Sequence, residues 1–262
     1  MVDVNKLMIV VGTSCCHYVM SKESHPVEGI QGFGADLAIP GYIAYEAAQC
    51  AVGDNFAWFV DNCVPEKYAL EARAQGKNIF TFLNEKAAKL DVGESGLIAL
   101  DWWNGNRCPY ADFDLSGMMI GMTLKTKPEE MYRAILEAST FGTKWIVDMF
   151  EESGVQIDEV LATGGIVRKN PFLMQMYSDV LGKEIHICKT SQAGAKGSAI
   201  YASVACGYFA SVPESAAVIA DSSDITYYPN PENTKKYEKL YREYRDLCAY
   251  FSSENNVMKR LK

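Results

Sequence analysis

The sequence predicts an α/β domain. In its second half, short apolar runs typical of buried strands alternate with longer segments of helical periodicity. At its start, two apolar runs flank a short polar turn, which is the pattern of a β-hairpin. The 262 residues contain no long linker, low-complexity tract or short repeat. This length is enough for one large domain or two small ones.

The first predicted elements are strands. Residues 7–11 and 16–20 are the hairpin strands, and the glycine-rich segment 28–41 predicts further strand and turn. Residues 45–63 predict a helix, with its large apolar side chains concentrated near the end. The more polar residues 65–98 predict shorter helices.

A long helix follows a short strand predicted at residues 97–103. Thr126 and Glu129 form a predicted capping box around Pro128, and Gly154 ends the helix. The helix would direct one apolar face towards the core. That face comprises Met131, Ile135, Ala138, Gly142, Trp145, Ile146 and Met149.

Two glycines follow the next predicted strand. The apolar run 159–162 leads to Gly164 and Gly165. Asn170 and Pro171 provide the N-cap and first residue of a helix, which Gly182 ends. The strand, the glycine pair and the capped helix together form a ledge where a flat ligand can lie close to the backbone. Side chains at the two glycines would block that approach. The alternative is an ordinary strand-to-helix turn.

The last third of the chain continues the alternation. A strand is predicted at residues 184–188 and a helix of small residues at 193–206. The final predicted helix, 234–252, places several tyrosines on one face, which is typical of packing.

The polar turn of the hairpin is a candidate anion site. Gly12, Thr13 and Ser14 lie where the two apolar strands turn. Successive backbone N–H groups at such a turn can bind an anion, and the glycine allows close approach. The two hydroxyls add donors for phosphate oxygens. The alternative is a polar hairpin turn without a ligand.

The charge and cysteine content exclude several classes of protein. The formal net charge of −8 argues against a nucleic-acid-binding surface. No stretch approaches the ~18 uninterrupted apolar residues of a membrane span. The eight cysteines include no Cys-x-x-Cys pair, and adjacent Cys15 and Cys16 suit neither a zinc site nor a mutual disulfide. We expect a cytoplasmic protein that contacts no nucleic acid or membrane and holds no metal through cysteine.

Five segments of the chain, in this order, resemble the C-terminal half of the FGGY carbohydrate kinases. They are GTSCCH at 12–17, PGYIAYEAAQ at 40–49, GD at 53–54, DWWNGNR at 101–107 and GGIVRKN at 164–170. The resemblance covers nearly the whole chain. It implies an actin-like ATPase (ribonuclease H-like) domain, in which helices flank a mixed sheet and a helical insertion is present.

The resemblance also implies an activity. Residues 1–262 would be the C-terminal nucleotide-binding domain of a two-domain sugar kinase, with the N-terminal sugar-binding domain absent. Such a kinase closes on a sugar and ATP-Mg²⁺ and transfers the γ-phosphate to a sugar hydroxyl. Within the family, the segments are most similar to members that convert L-ribulose to L-ribulose 5-phosphate. The alternatives are a family member of the xylulokinase type, or a fragment that binds nucleotide or a partner without catalysis.

Seven nucleotide-binding residues are implied by the resemblance. Three in the hairpin turn would hold the β- and γ-phosphates, and one would line the cleft from the following helix. Two would lie behind the adenine, and one beside its edge. In that order they are Gly12, Thr13 and Ser14; Gly53; Gly164 and Gly165; and Asn170.

Three charged residues have two interpretations each. Asp54 could coordinate Mg²⁺ through water or be a solvated helix carboxylate. Arg107 could contact phosphate or bind loop carbonyl groups. Arg168 could approach the ribose or the phosphates, or face solvent. His17 and His186 alternate with apolar residues in strands and are expected to be packing histidines.

Family members also carry a catalytic base that this sequence lacks. The base is an aspartate in an Asp-Ala-His-like stretch upstream of Gly-Thr-Ser, and no such stretch precedes Gly12. Asp3 lacks the following Ala-His and is assigned no role. We therefore expect no catalytic residue and no metal ligand in this chain, which would be a truncated, split or frameshifted product that is inactive alone. The sugar would bind through the missing half, whose absence would favour a homo-oligomer.

Overall fold

The structure is a computed structural model that describes residues 3–190, 192–220, 223–255 and 257–262. The strands are β1 (Lys6–Val11), β2 (Cys15–Ser21), β3 (Gly32–Ala35), β4 (Ile43–Gln49), β5 (Ile98–Leu100), β6 (Met118–Ile120), β7 (Glu159–Thr163), β8 (Ile185–Cys188) and β9 (Ser223–Tyr227). The helices are α1 (Gly53–Cys63), α2 (Glu66–Ala74), α3 (Ile79–Ala87), α4 (Pro128–Glu152), α5 (Pro171–Leu181), α6 (Ala193–Ala205), α7 (Val212–Ile219), α8 (Pro231–Ala249) and α9 (Val257–Arg260). A π-helical turn at Tyr250–Glu254 follows α8.

One mixed sheet organises the domain. Its strand order is β3-β4-β2-β1-β7-β8-β9, and β5 and β6 form a separate pair. Strand β7 runs parallel to both β1 and β8, whereas the other neighbouring pairs of the large sheet are antiparallel. Helices flank this sheet, so the predicted α/β class is confirmed. Helices α1, α2 and α3 lie between β4 and β5 in the chain, where shorter helices were predicted.

The core lies between the sheet and the long helix α4. In β1, Leu7, Ile9 and Val11 are fully buried, as the alternation of side chains in a strand requires. Helix α4 approaches β4 closely at Gly142, where a Cβ atom would lie only 2.3 Å from Gln49 Nε2. Of the predicted inward face of α4, the two methionines are half-buried and the other residues are buried.

The prediction of a helix over residues 45–63 is wrong for its first part. Strand β4 (Ile43–Gln49) occupies this part, and the helix begins only at Gly53. Alanines favour a helix locally, but β4 pairs with both β2 and β3, so its backbone hydrogen bonds are made in the sheet. Tertiary pairing therefore overrides local propensity here.

The N-cap of α4 lies one residue later than predicted. Lys127 N donates to Glu130 Oε2 at 2.6 Å, which is the reciprocal bond of a capping box. Thr126 instead accepts a hydrogen bond from Thr123 N at 2.8 Å. Strand β9 and helix α7 were not predicted at all.

Several local predictions are confirmed. The hairpin forms between β1 and β2, with Val11 opposite Cys15. Asn170 caps α5, because its Oδ1 accepts from Leu173 N at 3.0 Å. Gly182 ends the same helix in the left-handed conformation, with φ of 63°.

Within the described ranges, no helix is both long and apolar enough to cross a membrane.

Candidate nucleotide site

The turn between β1 and β2 directs its carbonyl groups away from solvent. Val52 N donates to Thr13 O at 2.7 Å, and Gly53 N donates to Gly12 O at 3.0 Å. Within the turn, Gly12 N donates to Ser14 O at 2.9 Å. The N–H groups of Thr13 and Ser14 make no hydrogen bond to any residue that the structure describes. These two donors are therefore available for an anion.

Gly53 holds the start of α1 against this turn. A Cβ atom at Gly53 would lie 2.6 Å from the carbonyl oxygen of Gly12 and 2.8 Å from Ile166 Cδ1. Such distances are shorter than van der Waals contact, so only glycine allows this approach. Gly53 thus contacts both the turn and the segment that follows β7.

The glycine pair lies at the same sheet edge as the turn. Strands β1 and β7 are parallel, with Val10 opposite Thr163, so both strands end side by side. Gly164 has φ of 115°, and a Cβ there would lie 2.3 Å from the carbonyl oxygen of Val11. At Gly165, no atom of a described residue other than its two chain neighbours lies within 4 Å of the corresponding position. Gly164 is therefore required by the fold, whereas Gly165 leaves open space.

A cleft of ≈ 660 Å³ connects the turn and the glycine pair. Its walls come from the hairpin turn, α1, the start of α3, α4 and the segment between β7 and α5. The apolar part of the lining comprises Phe56, Ala57, Phe80, Tyr132 and Ile166. The polar part comprises Asp54, Asn78, Thr81, Asn84, Lys169 and Asn170. Aromatic walls with a few polar side chains are typical of small-molecule sites.

Most of the predicted nucleotide-binding residues meet in this cleft. Gly12, Thr13, Gly53, Gly165 and Asn170 line it. Ser14 and Gly164 belong to the same two segments but do not form part of its lining, and Asp54 lines it from the first turn of α1.

The two candidate arginines lie outside the cleft lining. Arg168 Nη2 donates to Asp224 Oδ1 at 2.6 Å and to the carbonyl oxygen of Cys188 at 3.1 Å, which ties the segment before α5 to β8 and β9. Arg107 interacts with the thiol of Cys50; burial raises the pKa of that thiol, and Arg107 partly offsets the rise.

Other cleft residues were not predicted from the sequence. Asn78, Phe80, Thr81, Asn84 and Tyr132 all line it. Asn78 carries a recognisable signal, since it caps α3 by accepting from Thr81 N at 2.8 Å. The others carry no local signal, because only the tertiary fold brings α3 and α4 to the cleft.

A buried polar network lies behind the turn. His17 is fully buried; its Nε2 lies 3.0 Å from Thr143 Oγ1 and its Nδ1 lies 3.3 Å from the carbonyl oxygen of Ala47. Burial lowers the pKa of His17 to about 4, so the ring is neutral near pH 7. The packing role expected for this histidine therefore fits its surroundings.

The network continues to the last long helix. Thr143 Oγ1 donates to Gln49 Oε1 at 2.8 Å, and Gln49 Nε2 donates to Asp101 Oδ2 at 2.8 Å. Tyr244 OH donates to the second carboxylate oxygen, also at 2.8 Å. Burial raises the pKa of Asp101, and these hydrogen bonds partly offset the rise. The network fixes β2, β4 and α4 relative to one another behind the cleft.

The sheet, the turn and the glycine pair have the arrangement of the actin-like ATPase fold. The chain belongs to the FGGY family of carbohydrate kinases, because the model for that family's C-terminal domain matches residues 7–206.

Curated relatives are closely similar in sequence. A ribulokinase from Bacillus licheniformis is 49% identical over 98% of this chain, and one from Anoxybacillus flavithermus is 47% identical over 100% of it. In each case the match covers 47% of the relative. The chain therefore spans about half the length of these curated relatives.

Solved structures agree with the fold. A xylulose kinase from Lactobacillus acidophilus matches 99% of this chain and 49% of its own, with a TM-score of 0.83 and 20% sequence identity. A glycerol kinase from Plasmodium falciparum, solved with ADP, matches 94% of this chain and 47% of its own, with a TM-score of 0.71 and 18% identity. At these identities the likeness concerns the fold alone.

Proposed function

We propose that this chain is the nucleotide-binding half of an ATP-dependent sugar kinase whose acceptor is L-ribulose. The observation that carries the proposal is the position of Gly53, which contacts both the Gly12 carbonyl and Ile166. The hairpin turn, which would bind phosphate, and the glycine ledge therefore line the same cleft. The two ribulokinase relatives, at 49% and 47% identity, support L-ribulose as the acceptor.

The turn would bind the phosphates. The free N–H groups of Thr13 and Ser14 and their hydroxyls would donate to β- and γ-phosphate oxygens, where charge develops during phosphoryl transfer. Because the turn's own carbonyls are bonded to Val52 and Gly53, its donors are fixed in position before the nucleotide binds. Donors fixed in advance need no reorganisation during the reaction.

The open side of Gly165 would lie against the adenine. Phe80, which is 38% exposed, offers aromatic surface in the same cleft, whereas Tyr132 lines it but is only 1% exposed. Asn170 would lie beside the edge of the base. The glycerol kinase of similar fold was solved with ADP, so a protein of this fold can bind an adenine nucleotide.

Mg²⁺ would bind at this site together with the nucleotide phosphates. Protein sites for Mg²⁺ typically use one or two carboxylates together with substrate phosphates and water. Asp54 lines the cleft and would hold the ion through water. In the described part of the chain no cluster of three or more His, Cys, Asp or Glu side chains could hold a metal alone. When bound, the ion neutralises phosphate charge.

The sugar and the catalytic base would come from a further domain, as the length of the relatives suggests. Helix α6 supports this, because none of its residues is buried although most are small or apolar. We also propose that the protein is cytoplasmic and that this chain alone does not phosphorylate a sugar.

Two measurements test the proposal. Calorimetric titration of the chain with ATP-Mg²⁺ should show weak but saturable binding, and no binding at millimolar nucleotide would refute a nucleotide site. Joining the chain to the N-terminal half of the Bacillus licheniformis relative should give ADP release with L-ribulose. Because the added half would bind the sugar, this experiment tests whether the chain supplies the nucleotide-binding half of a ribulokinase, and no ADP release above that of the control would refute it. The N-terminal half alone is the matched control.

A further inference from the structure

We propose that Asn84 is a specificity-determining residue, which donates from its amide nitrogen to a ring-nitrogen acceptor of the purine base. This inference depends on the nucleotide site proposed above. It follows from a chain of hydrogen bonds that leaves only one orientation for two neighbouring amides. On the described wall of the cleft, the amide donors of Asn84 and Asn78 are unbonded, whereas each amide oxygen already accepts one hydrogen bond from the protein.

The first step is the orientation of Asn170. Its Oδ1 accepts the helix-capping hydrogen bond from Leu173 N at 3.0 Å, and only an oxygen can accept it. The other end of the amide must therefore be the NH₂ group. Asn170 is 5% exposed, so this orientation is held in a buried place.

The second step is the orientation of Asn84. Asn170 Nδ2 lies 3.1 Å from Asn84 Oδ1 and donates to it. The carbonyl oxygen of Asn84 therefore already accepts one hydrogen bond, and its NH₂ group is the end of the amide that has no partner. That group makes no hydrogen bond to any residue in the described ranges, while Asn84 lines the cleft.

A second asparagine shows the same arrangement. Asn78 Oδ1 is occupied by the cap of α3, through Thr81 N at 2.8 Å, and Asn78 also lines the cleft. Both amides thus have their acceptor bonded to protein and their donors unbonded within the part of the chain that the structure describes. A ligand group facing them gains by presenting an acceptor.

Purine ring nitrogens are such acceptors. Adenine offers N1, N3 and N7 around its edge, each with a lone pair in the ring plane. A flat base lying against Gly165 would have its edge directed at the side chains beside the ledge, where Asn170 orients Asn84. A ligand N–H at that point would oppose a donor and leave both groups unpaired.

The test measures the dissociation constants of ATP and of 1-deaza-, 3-deaza- and 7-deaza-ATP from the wild-type chain. Each analogue lacks one ring nitrogen. The analogue that lacks the nitrogen contacted by Asn84 should bind about tenfold more weakly than ATP. The same analogue and ATP should bind equally to Asn84→Ala, because the donor is gone. Since the wild-type comparison changes only the ligand, it does not depend on how a variant folds.

Two isosteric variants sharpen the test. Asn84→Asp replaces the donor by an acceptor and should weaken ATP binding more than Asn84→Ala does. Asn170→Asp keeps an oxygen for the helix cap but replaces the NH₂ group that donates to Asn84 by a second oxygen. The Asn84 amide should then rotate so that its NH₂ group donates to this oxygen, and ATP binding should weaken because that donor no longer faces the base. Asn62→Asp is the control, because it adds the same charge at an exposed position on α1.

The outcomes separate the two proposals. If the wild type binds no nucleotide at all, the nucleotide site itself is refuted. If ATP binds but all three analogues bind as tightly as ATP, the role of Asn84 is refuted. It is equally refuted if Asn84→Ala weakens ATP and every analogue by the same factor.

Discussion

Gly53 N donates a hydrogen bond to the carbonyl oxygen of Gly12 at 3.0 Å, and a Cβ on Gly53 would lie 2.6 Å from that same oxygen. The first residue of α1 and the first residue of the hairpin turn are therefore in direct backbone contact. The turn keeps its shape because the start of α1 binds its carbonyl groups. Any side chain at residue 53 must displace one of these two elements.

Gly53→Ala should therefore weaken nucleotide binding and destabilise the fold by about 1–3 kcal/mol, as overpacking typically does. Urea unfolding and ATP titration measure the two effects. Gly197→Ala is a matched control, since outside the backbone of α6 no atom of the described residues lies within 4 Å of its Cβ position. There we expect no loss, and a gain of up to about 1 kcal/mol from helix propensity.

The two glycines after β7 should respond differently to the same substitution. Gly164→Ala should destabilise the protein by about 2–4 kcal/mol, since residue 164 has φ of 115° and faces the Val11 carbonyl. Gly165→Ala should leave the melting temperature unchanged, because its Cβ position is open. It should nevertheless reduce ATP affinity by about tenfold or more, because the methyl group would occupy the base position. If Gly165→Ala bound ATP with unchanged affinity, the claim that the base lies against Gly165 would be refuted.

Thr13→Val should reduce affinity for ATP and ADP but not for adenosine. The substitution keeps the shape and the backbone N–H, and removes only a hydroxyl donor to the phosphates. We expect a loss of about three- to tenfold, the size of one neutral hydrogen bond. Equal losses for ATP and adenosine would show that the turn does not bind the phosphates.

Asp54→Asn distinguishes the two interpretations of this carboxylate. If Asp54 holds Mg²⁺ through water, the substitution should reduce the gain in ATP affinity that Mg²⁺ gives. If it is a solvated helix carboxylate, the gain should be unchanged. Asp61→Asn provides the control, since Asp61 is an exposed acid on the same helix. The measurement is ATP titration with and without Mg²⁺.

Acid should destabilise the protein through His17. Its pKa is about 4 in the fold against 6.5 ordinarily, so between these values the unfolded chain binds more protons. Stability from the neutral ring is complete above about pH 6.5 and falls as the pH drops towards 4, by up to about 3 kcal/mol. His17→Asn should lose this part of the pH dependence. Urea midpoints at pH 4.5 and 7 measure the difference, and an unchanged dependence in the variant would contradict this assignment.

The sequence predicts those parts of the site that local chemistry determines. The hairpin turn is visible because apolar strands flank Gly12, and the ledge because Gly164 and Gly165 precede a capped helix. The capping role of Asn170 follows from its place before Pro171. Each of these signals lies within a few neighbouring residues.

Long-range contacts account for what the sequence does not predict. The α3 wall with Asn84 reaches the cleft only through packing, and its bond to Asn170 joins residues far apart in the chain. Arg168 is bonded to Asp224 in β9, a strand that was not predicted. The first part of the predicted helix 45–63 is strand β4, because its pairing with β2, from which β3 separates it in the chain, overrides the local helix preference of its alanines.

A crystal structure of this chain soaked with ADP tests the central claim most directly. We predict phosphate oxygens within hydrogen-bond distance of the Thr13 and Ser14 N–H groups, and the base against Gly165 with its edge at Asn84. A nucleotide bound elsewhere on the molecule, or with its phosphates away from the hairpin turn, would contradict the account.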